Sequence, residues 1–315
     1  MRQTKALPAA VRRWSEQRIG PVTAVRDASH DWYRSRVWEL EGEGAARWYV
    51  KVSPSVKSFT RETRAYRHVV PALGQGRTPH LVDTRAQDLA VLLTTVPGVP
   101  APGLGPADGE WRAVHRQAGT LCARLHEAGA LDRDDRAEAE ASLQAAADGA
   151  EKYLARAGDR LTEDERQVVR DHAAQLRRVG PVPVGYVHGD NQLRNILYAP
   201  DTPARTDEAD GSGPFLAVID LERSEPGPAV RDLVRLSDAW HGRPELYEAF
   251  LAGYGRHLTP AEEARLVIDA ALDSVSGIAY GAAHGDPGLV ERGRRTLARL
   301  RAEHDDSLSP TGEAR

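Results

Sequence analysis

The chain has 315 residues, of which 41% are hydrophobic and 28% charged, the profile of a folded globular chain forming one large domain or two packed lobes. Its 42 Lys and Arg residues against 46 Asp and Glu leave a net charge of -4, which makes no electrostatic case for nucleic acid or for an anionic membrane surface. A single cysteine, Cys122, excludes an internal disulfide framework and a Cys-rich zinc site. The N-terminal MRQTKALPAAVRRW has no signal-like apolar stretch, and no segment reads as the ~20 apolar residues of a membrane span. A reducing cytoplasm fits these readings.

The first hundred residues read as mixed strand and helix. Val22–Val25 and Ser35–Leu40 are expected strands, and Glu41–Ala45 (EGEGA) a turn leading into Arg47–Val52 (RWYVKV), together a hairpin. Ser58–Val70 predicts a helix with Phe59, Ala65 and Tyr66 on its apolar face, ended by Pro71. Leu81–Val82 and Leu89–Thr95 read as two more strands. Val96–Gly109, rich in Pro and Gly, reads as a link between lobes. Long helices follow at Glu110–Ala128, Ala137–Ala157 and Glu163–Val179. Short strands at Tyr186–Val187, Ile196–Tyr198 and Phe215–Leu221 enclose the polar stretch Ala199–Pro214, expected to be a mobile hairpin tip. Helices return from Ala229 to about Leu300, and the polar residues 302–315 are expected to be disordered. This divides the chain into an N-terminal lobe (1–96), a C-terminal lobe (97–301) and a tail (302–315).

One constellation carries chemistry. VHGDNQLRNIL (Val187–Leu197) places Asp190 and Asn195 five apart on a loop between short strands, and VIDLE (Val218–Glu222) places Asp220 at the end of an apolar strand. Phosphoryl transfer needs a carboxylate facing the acceptor hydroxyl, hard oxygen ligands for Mg²⁺ on the phosphates, and a cation to steady them. Asp190 is the candidate base, and Asn195 and Asp220 the candidate metal ligands. Only four lysines occur in the chain. One of them, Lys51, lies in the strand RWYVKV, and Glu62 follows eleven residues later on the next helix, an order that protein kinases use to hold phosphates.

These stretches resemble the aminoglycoside phosphotransferase and choline kinase superfamily. The resemblance runs over roughly residues 20–300 through YVKV, TRETRAY, VLLTTVPG, GTLCARLH, HGDNQLRN, IDLE and RDL. It implies an α+β, two-lobed kinase-like fold, with a small β-rich N-terminal lobe and a larger, mostly helical C-terminal lobe. It further implies ATP or GTP with Mg²⁺ as cofactors, the adenine against a hinge at Thr95 and Val96, and a Lys51–Glu62 phosphate clamp. Asp190 would be the base, Asn195 and Asp220 the magnesium ligands, and Asp232 a support behind the loop. The acceptor would be a small-molecule hydroxyl, foremost that of an aminoglycoside or similar antibiotic, with an amino alcohol, sugar or nucleoside as the alternative.

The sequence also departs from this pattern and carries residues open to two readings. The loop Arg26–Asp31 has no glycine to cover phosphates, which leaves the backbone N–H groups of Ser29 or His30 for that task. Glu222 reads either as a loop carboxylate or as a contact to metal or an amine substrate. Asp269 and Asp273, one helical turn apart, could present an acidic face to a cationic acceptor, though a solvated helix surface explains them too. A second HGD at His284–Asp286, followed by Pro287, reads as a turn between helices. No P-loop, no strand-linked G-x-G-x-x-G, no zincin His pair and no G-x-S-x-G elbow occurs. A nucleotide-binding regulator without catalysis is the reading from another class.

Overall fold

In the computed structural model, the described residues are 6–29, 35–103, 108–129, 131–203 and 214–308. A helix that the sequence reading did not anticipate comes first: α1, Ala9–Ile19. Strands β1 (Val22–Asp27), β2 (Arg36–Gly42), β3 (Arg47–Val52), β4 (Leu81–Arg85) and β5 (Ala90–Thr94) form an antiparallel sheet in the order β1-β2-β3-β5-β4. Helix α2, Val56–Arg64, is capped by the Ser55 hydroxyl, which accepts from the Ser58 N–H. It ends short of the predicted helix and gives way to a π turn over Ala65–Val69.

Side chains along β3 alternate between faces. Val50 points into a cluster with Trp14 of α1, Trp38, Leu40 and Leu92. The next residue, Lys51, points the other way and is buried as well. Sheet pairing fixes that register, because Lys51 lies opposite Val37 of β2 and Val91 of β5. A one-residue slip would bring Lys51 into the apolar cluster.

The segment expected to be a plain link contains a short strand, β6 (Val99–Pro100), which pairs with β8 (Ile196–Pro203). Gly98 before it has φ +107°, and a Cβ there would stand 2.9 Å from the Tyr198 backbone, so glycine is needed. Strand β8 also pairs with β9 (Pro214–Val218), and β7 (Val184–Val187) and β10 (Glu225–Pro228) complete the strands. Most of the tip expected to be mobile, residues 204–213, lies outside the described residues.

The remaining helices are α3 (Asp108–His126), α4 (Arg133–Ala157), α5 (Glu163–Gln175), α6 (Pro244–Tyr254), α7 (Pro260–His284) and α8 (Pro287–Leu308). Residues 302–308, expected to be disordered, are therefore helical, because α8 carries on past its buried Leu297 and Leu300; residues 309–315 lie outside the described residues. The second HGD does form the α7–α8 turn: Gly285 is left-handed at φ +74°, and the Asp286 carboxylate accepts from the Leu289 N–H at 3.0 Å. Helix α7 is long and apolar enough to cross a membrane by length and composition alone, which the sequence reading had not anticipated. Its Ile268, Leu272, Val275 and Ile278 belong to a core cluster with Leu154, Val169 and Leu297.

Two compact units result. The first comprises 1–130, 186–225 and 245–255, and the second 131–185, 226–244 and 256–315. The HGDNQLRN loop thus shares a unit with the N-terminal sheet. Within that unit α3 and α6 cross at two glycines. A Cβ on Gly253 would lie 1.7 Å from the Arg116 carbonyl oxygen, and one on Gly119 would lie 2.1 Å from that of Phe250. Backbone atoms cannot step aside as a flexible side chain can. Gly253→Ala is expected to cost about 1–3 kcal/mol of unfolding free energy. Gly109→Ala, in the open first turn of α3, should be neutral or gain up to about 1 kcal/mol. Urea denaturation of both variants checks this, and equal effects would contradict the close crossing.

Candidate active site

Lys51 is the centre of the candidate site. Its Nζ lies 3.0 Å from Glu62 Oε1, 2.6 Å from Asp220 Oδ1 and 3.0 Å from Glu222 Oε2. All four groups belong to the first compact unit. Glu62 comes from the buried face of α2 and has no solvent exposure. Ser53, just past β3, approaches its second oxygen at 3.5 Å. Arg64 fixes the end of α2 by donating to the Tyr186 hydroxyl at 2.6 Å, and Arg61 pairs with Glu225.

Asp220 and Glu222 follow β9, which ends at Val218, two residues earlier than the predicted strand would require to include Asp220. Asp220 itself has φ +68°. A left-handed non-glycine residue costs of order 1–3 kcal/mol and persists only where its surroundings hold it. Here Lys51 grips its carboxylate, and His188 fixes the preceding backbone through a 2.9 Å bond from Nε2 to the Ile219 carbonyl. His188 Nδ1 in turn accepts from the Asp190 N–H at 3.3 Å, which sets the tautomer with the proton on Nε2. His188 thus ties the Asp190 loop to the turn that precedes Asp220. Gly189, between these residues, has φ +76°, and a Cβ there would stand 2.3 Å from the Arg223 carbonyl oxygen.

Asp190 and Asn195 meet through the loop. Asn195 Nδ2 donates to the Asp190 backbone oxygen at 2.9 Å and lies 3.4 Å from its Oδ2. With its amide nitrogen so used, the Asn195 side-chain oxygen is the atom left for a cation. Antiparallel pairing of β8 and β9 places Asn195 beside Ile219, whose N–H donates to the Asn195 carbonyl at 3.0 Å, so Asn195 and Asp220 flank the same end of the ladder. The carboxylate of Asp190 also accepts from Gln192 Nε2 at 2.7 Å.

The charges do not balance. One ammonium faces three carboxyl groups, an excess of acid over base in a largely buried place. Burial presses the Lys51 ammonium down, but Asp220, Glu62 and Glu222 overcome this and hold it well above its ordinary range. Burial pushes Asp220 up, and the Lys51 ammonium overrides it, keeping that carboxyl below its usual range. Glu62, with no exposure, yields instead: burial raises it to about 7 against the pull of Lys51. Shifts of this kind cluster at functional sites and also occur in structural ion-pair networks.

Other expected site residues fall elsewhere. Thr95 and Val96 follow β5 directly; Thr95 is exposed, while Val96 packs against Leu197, Ala199, Phe215 and Ala217. Asp269 and Asp273 lie in the second unit and do not form an open acidic face. Asp273 pairs with Arg235 at 2.9 Å and Arg292 at 2.6 Å, and Asp269 with Arg265 at 2.8 Å. Despite burial, the two arginines hold Asp273 far below the carboxylate range. Both carboxylates are thus taken up by arginines and are not presented to an acceptor. Asp232, also in the second unit, is buried. The Ser29 N–H, considered for phosphate, already donates to Asp27 Oδ1 at 2.9 Å, and His30 lies outside the described residues. A cavity of about 630 Å³ in the first unit, lined by Tyr66, Val70, Gln75, His80, Asp83 and Thr84 among others, includes none of the candidate site residues.

Sequence reasoning missed two partners. Ser35 donates to Glu222 Oε2 at 2.5 Å, a contact across 187 residues that no local pattern announces. Gln192 stands inside HGDNQLRN, where its spacing from Asp190 was the available signal.

An α+β fold with a β-sheet N-terminal region, a helical C-terminal region and this Lys–Glu–Asp cluster defines a kinase-like phosphotransferase. The model of the phosphotransferase enzyme family matches residues 25–266, and the chain belongs to that family. Solved structures agree in fold. The GDP and kanamycin complex of the aminoglycoside phosphotransferase APH(2″)-IIIa is similar at TM-score 0.69 and 13% identity, over 93% of this chain and 98% of that one. A thermostable mutant of APH(4)-Ia gives 0.65 and 15%, over 95% and 100%. A choline/ethanolamine kinase family protein from Mesorhizobium loti gives 0.59 and 18%, over 91% and 89%. No curated protein sequence matches the chain.

The raised Glu62 carboxyl has a consequence for stability. Its proton is bound more tightly in the folded chain than in the unfolded one, so its contribution is greatest below about pH 4.5 and is lost as pH rises to about 7. The unfolding free energy of the wild type should therefore decline across that window more steeply than that of Glu62→Gln. Chemical denaturation at a series of pH values reads this directly; parallel profiles would contradict the shift.

Proposed function

We propose that this phosphotransferase moves the γ-phosphoryl group of ATP or GTP to a hydroxyl of a small molecule, with an aminoglycoside or similar antibiotic as the first acceptor to test. The observation that carries the reading is the sharing of Lys51 by Glu62, Asp220 and Glu222, close to a loop on which Asp190 and Asn195 converge. Nucleotide use is supported by structural neighbours solved with GDP, with ATP and streptomycin, and with ADP and hygromycin B.

The donor set fits Mg²⁺. Asp220 and Asn195 offer hard oxygens, and the excess of carboxyl groups over the one ammonium favours a divalent cation. Bound there, Mg²⁺ would neutralise phosphate charge. Lys51, kept aligned by Glu62, steadies the phosphates. Asp190 orients the acceptor hydroxyl and takes its proton as the hydroxyl oxygen bonds to the γ-phosphorus. The bond to the β–γ bridging oxygen breaks, and the nucleoside diphosphate leaves. The single buried cysteine and the use of nucleoside triphosphate suit a cytoplasmic enzyme.

The alternative acceptor is a metabolite such as an amino alcohol, sugar or nucleoside. One observation favours keeping it level with the antibiotics: Asp269 and Asp273 are engaged with arginines and offer no free negative charge to a polycation.

Nucleotide consumption across a panel of aminoglycosides and hydroxylated metabolites tests the proposal. An acceptor-dependent release of diphosphate is expected for at least one member. Asp190→Ala should lower that rate by about 10²–10⁴-fold while nucleotide affinity stays near wild type. Wild-type turnover in Asp190→Ala would remove the base assignment. A purified chain that binds nucleotide yet consumes none with any acceptor would support the non-catalytic reading instead.

A further inference from the structure

A carboxylate does not hold its own orientation. The last torsion of an Asp side chain has broad, roughly two-fold wells, so the donors around it decide which way its oxygens face. Asp190 is 4% exposed, and three side chains of its own loop approach it. Gln192 Nε2 donates to Oδ1 at 2.7 Å, Asn195 Nδ2 lies 3.4 Å from Oδ2, and the Arg194 guanidinium stands 3.8 Å from Oδ2. Of these three contacts, only the one from Gln192 falls in the range of a firm hydrogen bond. The Asn195 amide is in addition committed to the Asp190 backbone oxygen at 2.9 Å.

The loop delivers Gln192 through its backbone. Gln192 precedes the short helical turn Leu193–Asn195, is extended at φ −148° and ψ 157°, and its carbonyl accepts from the Asn195 N–H at 2.8 Å. Along extended chain, side chains two apart share a side and the one between them turns away. The side chains here keep that alternation. Asp190 and Gln192 meet, while Asn191 between them, 5% exposed, turns to α3 and donates to Cys122 Sγ at 3.0 Å. Asn191 thus anchors the loop to the core, and the Asn195 N–H holds the Gln192 backbone. The Gln192 side chain is partly exposed, and its bond to Asp190 is its one hydrogen bond among the described residues. Its contact is therefore spent on the candidate base and not on the core.

We propose that Gln192 is a positioning residue for phosphoryl transfer: by pinning Oδ1 it fixes the plane of the Asp190 carboxylate in the orientation that receives the acceptor's proton. The proposal rests on the kinase reading and adds to it a neutral residue outside the Lys51 cluster and the metal ligands. The acceptor's O–H proton goes to the Asp190 carboxylate while its oxygen bonds to the γ-phosphorus and the bond to the bridging oxygen breaks. Gln192 neither gains nor loses a proton in this step.

Gln192→Met keeps the length of the side chain and removes the donor; Gln192→Glu keeps its shape and puts an acceptor where the donor was. Diphosphate release from Mg-ATP and Mg-GTP is measured with kanamycin, streptomycin, hygromycin B, ethanolamine or water alone as acceptor, with calorimetric nucleotide affinity and thermal unfolding alongside. Both variants should lose about 10- to 100-fold in kcat while nucleotide affinity and unfolding temperature stay at wild type. Introduced into Asp190→Ala, neither should lower the residual rate further, because no carboxylate is left to position. Wild-type kcat in Gln192→Met, or the same fold-loss with and without Asp190, would overturn the positioning role while leaving the kinase reading intact. A loss that follows nucleotide affinity or unfolding temperature would also count against it. A wild-type chain that binds neither nucleotide and releases no diphosphate would overturn the kinase reading and the positioning role with it.

Discussion

The buried Lys51 ammonium is the interaction on which the site depends. One cation is shared by carboxylates that reach it from α2 and from the turn after β9, segments far apart in sequence. A buried charge without a partner is among the most expensive arrangements in a protein, so each of these elements is constrained by the others. The sheet register, the orientation of α2 and the left-handed backbone of Asp220 are all consistent with delivering groups to that one nitrogen. The excess of acid over base is equally informative. A purely structural ion pair gains from neutrality, whereas a place that must later take up a metal-bound triphosphate gains from holding negative charge in reserve.

Much of this was legible in the sequence because local rules governed it. Strand β3 was expected at the residues where it occurs, since β-branched and aromatic residues alternate around a glycine turn. The HGDNQLRN and IDLE spacings located the loop and the strand end, and YVKV with TRETRAY located the Lys51–Glu62 pair, which the structure brings to 3.0 Å. The family resemblance and the α+β fold agree with the family match and the solved structures.

What was not legible depended on distant partners or on weak local patterns. Helix α1 buries only Val11, Trp14 and Ser15, too few positions for an apolar face to stand out. Residues 302–308 are polar, yet extending an existing helix avoids the nucleation cost that an isolated polar helix would meet. Strand β6 hides among prolines and glycines because its partner, β8, lies almost a hundred residues away. The spacing of Asp269 and Asp273 was read correctly as one face, but nothing near them in sequence announced Arg235 or Arg292, which take up Asp273. Electrostatic context is a tertiary property, and the same two acids look open or engaged according to residues that only the fold supplies.

The central claim is that the acidic cluster around Lys51 accepts a triphosphate only together with a divalent cation. Calorimetric titration of the wild-type chain with ATP, in Mg²⁺ and again in excess EDTA, tests it most directly. Affinity is expected in Mg²⁺ and a loss of at least about tenfold without it, because the carboxylates in excess over Lys51 then face the phosphates. Equal affinity under both conditions would contradict the account.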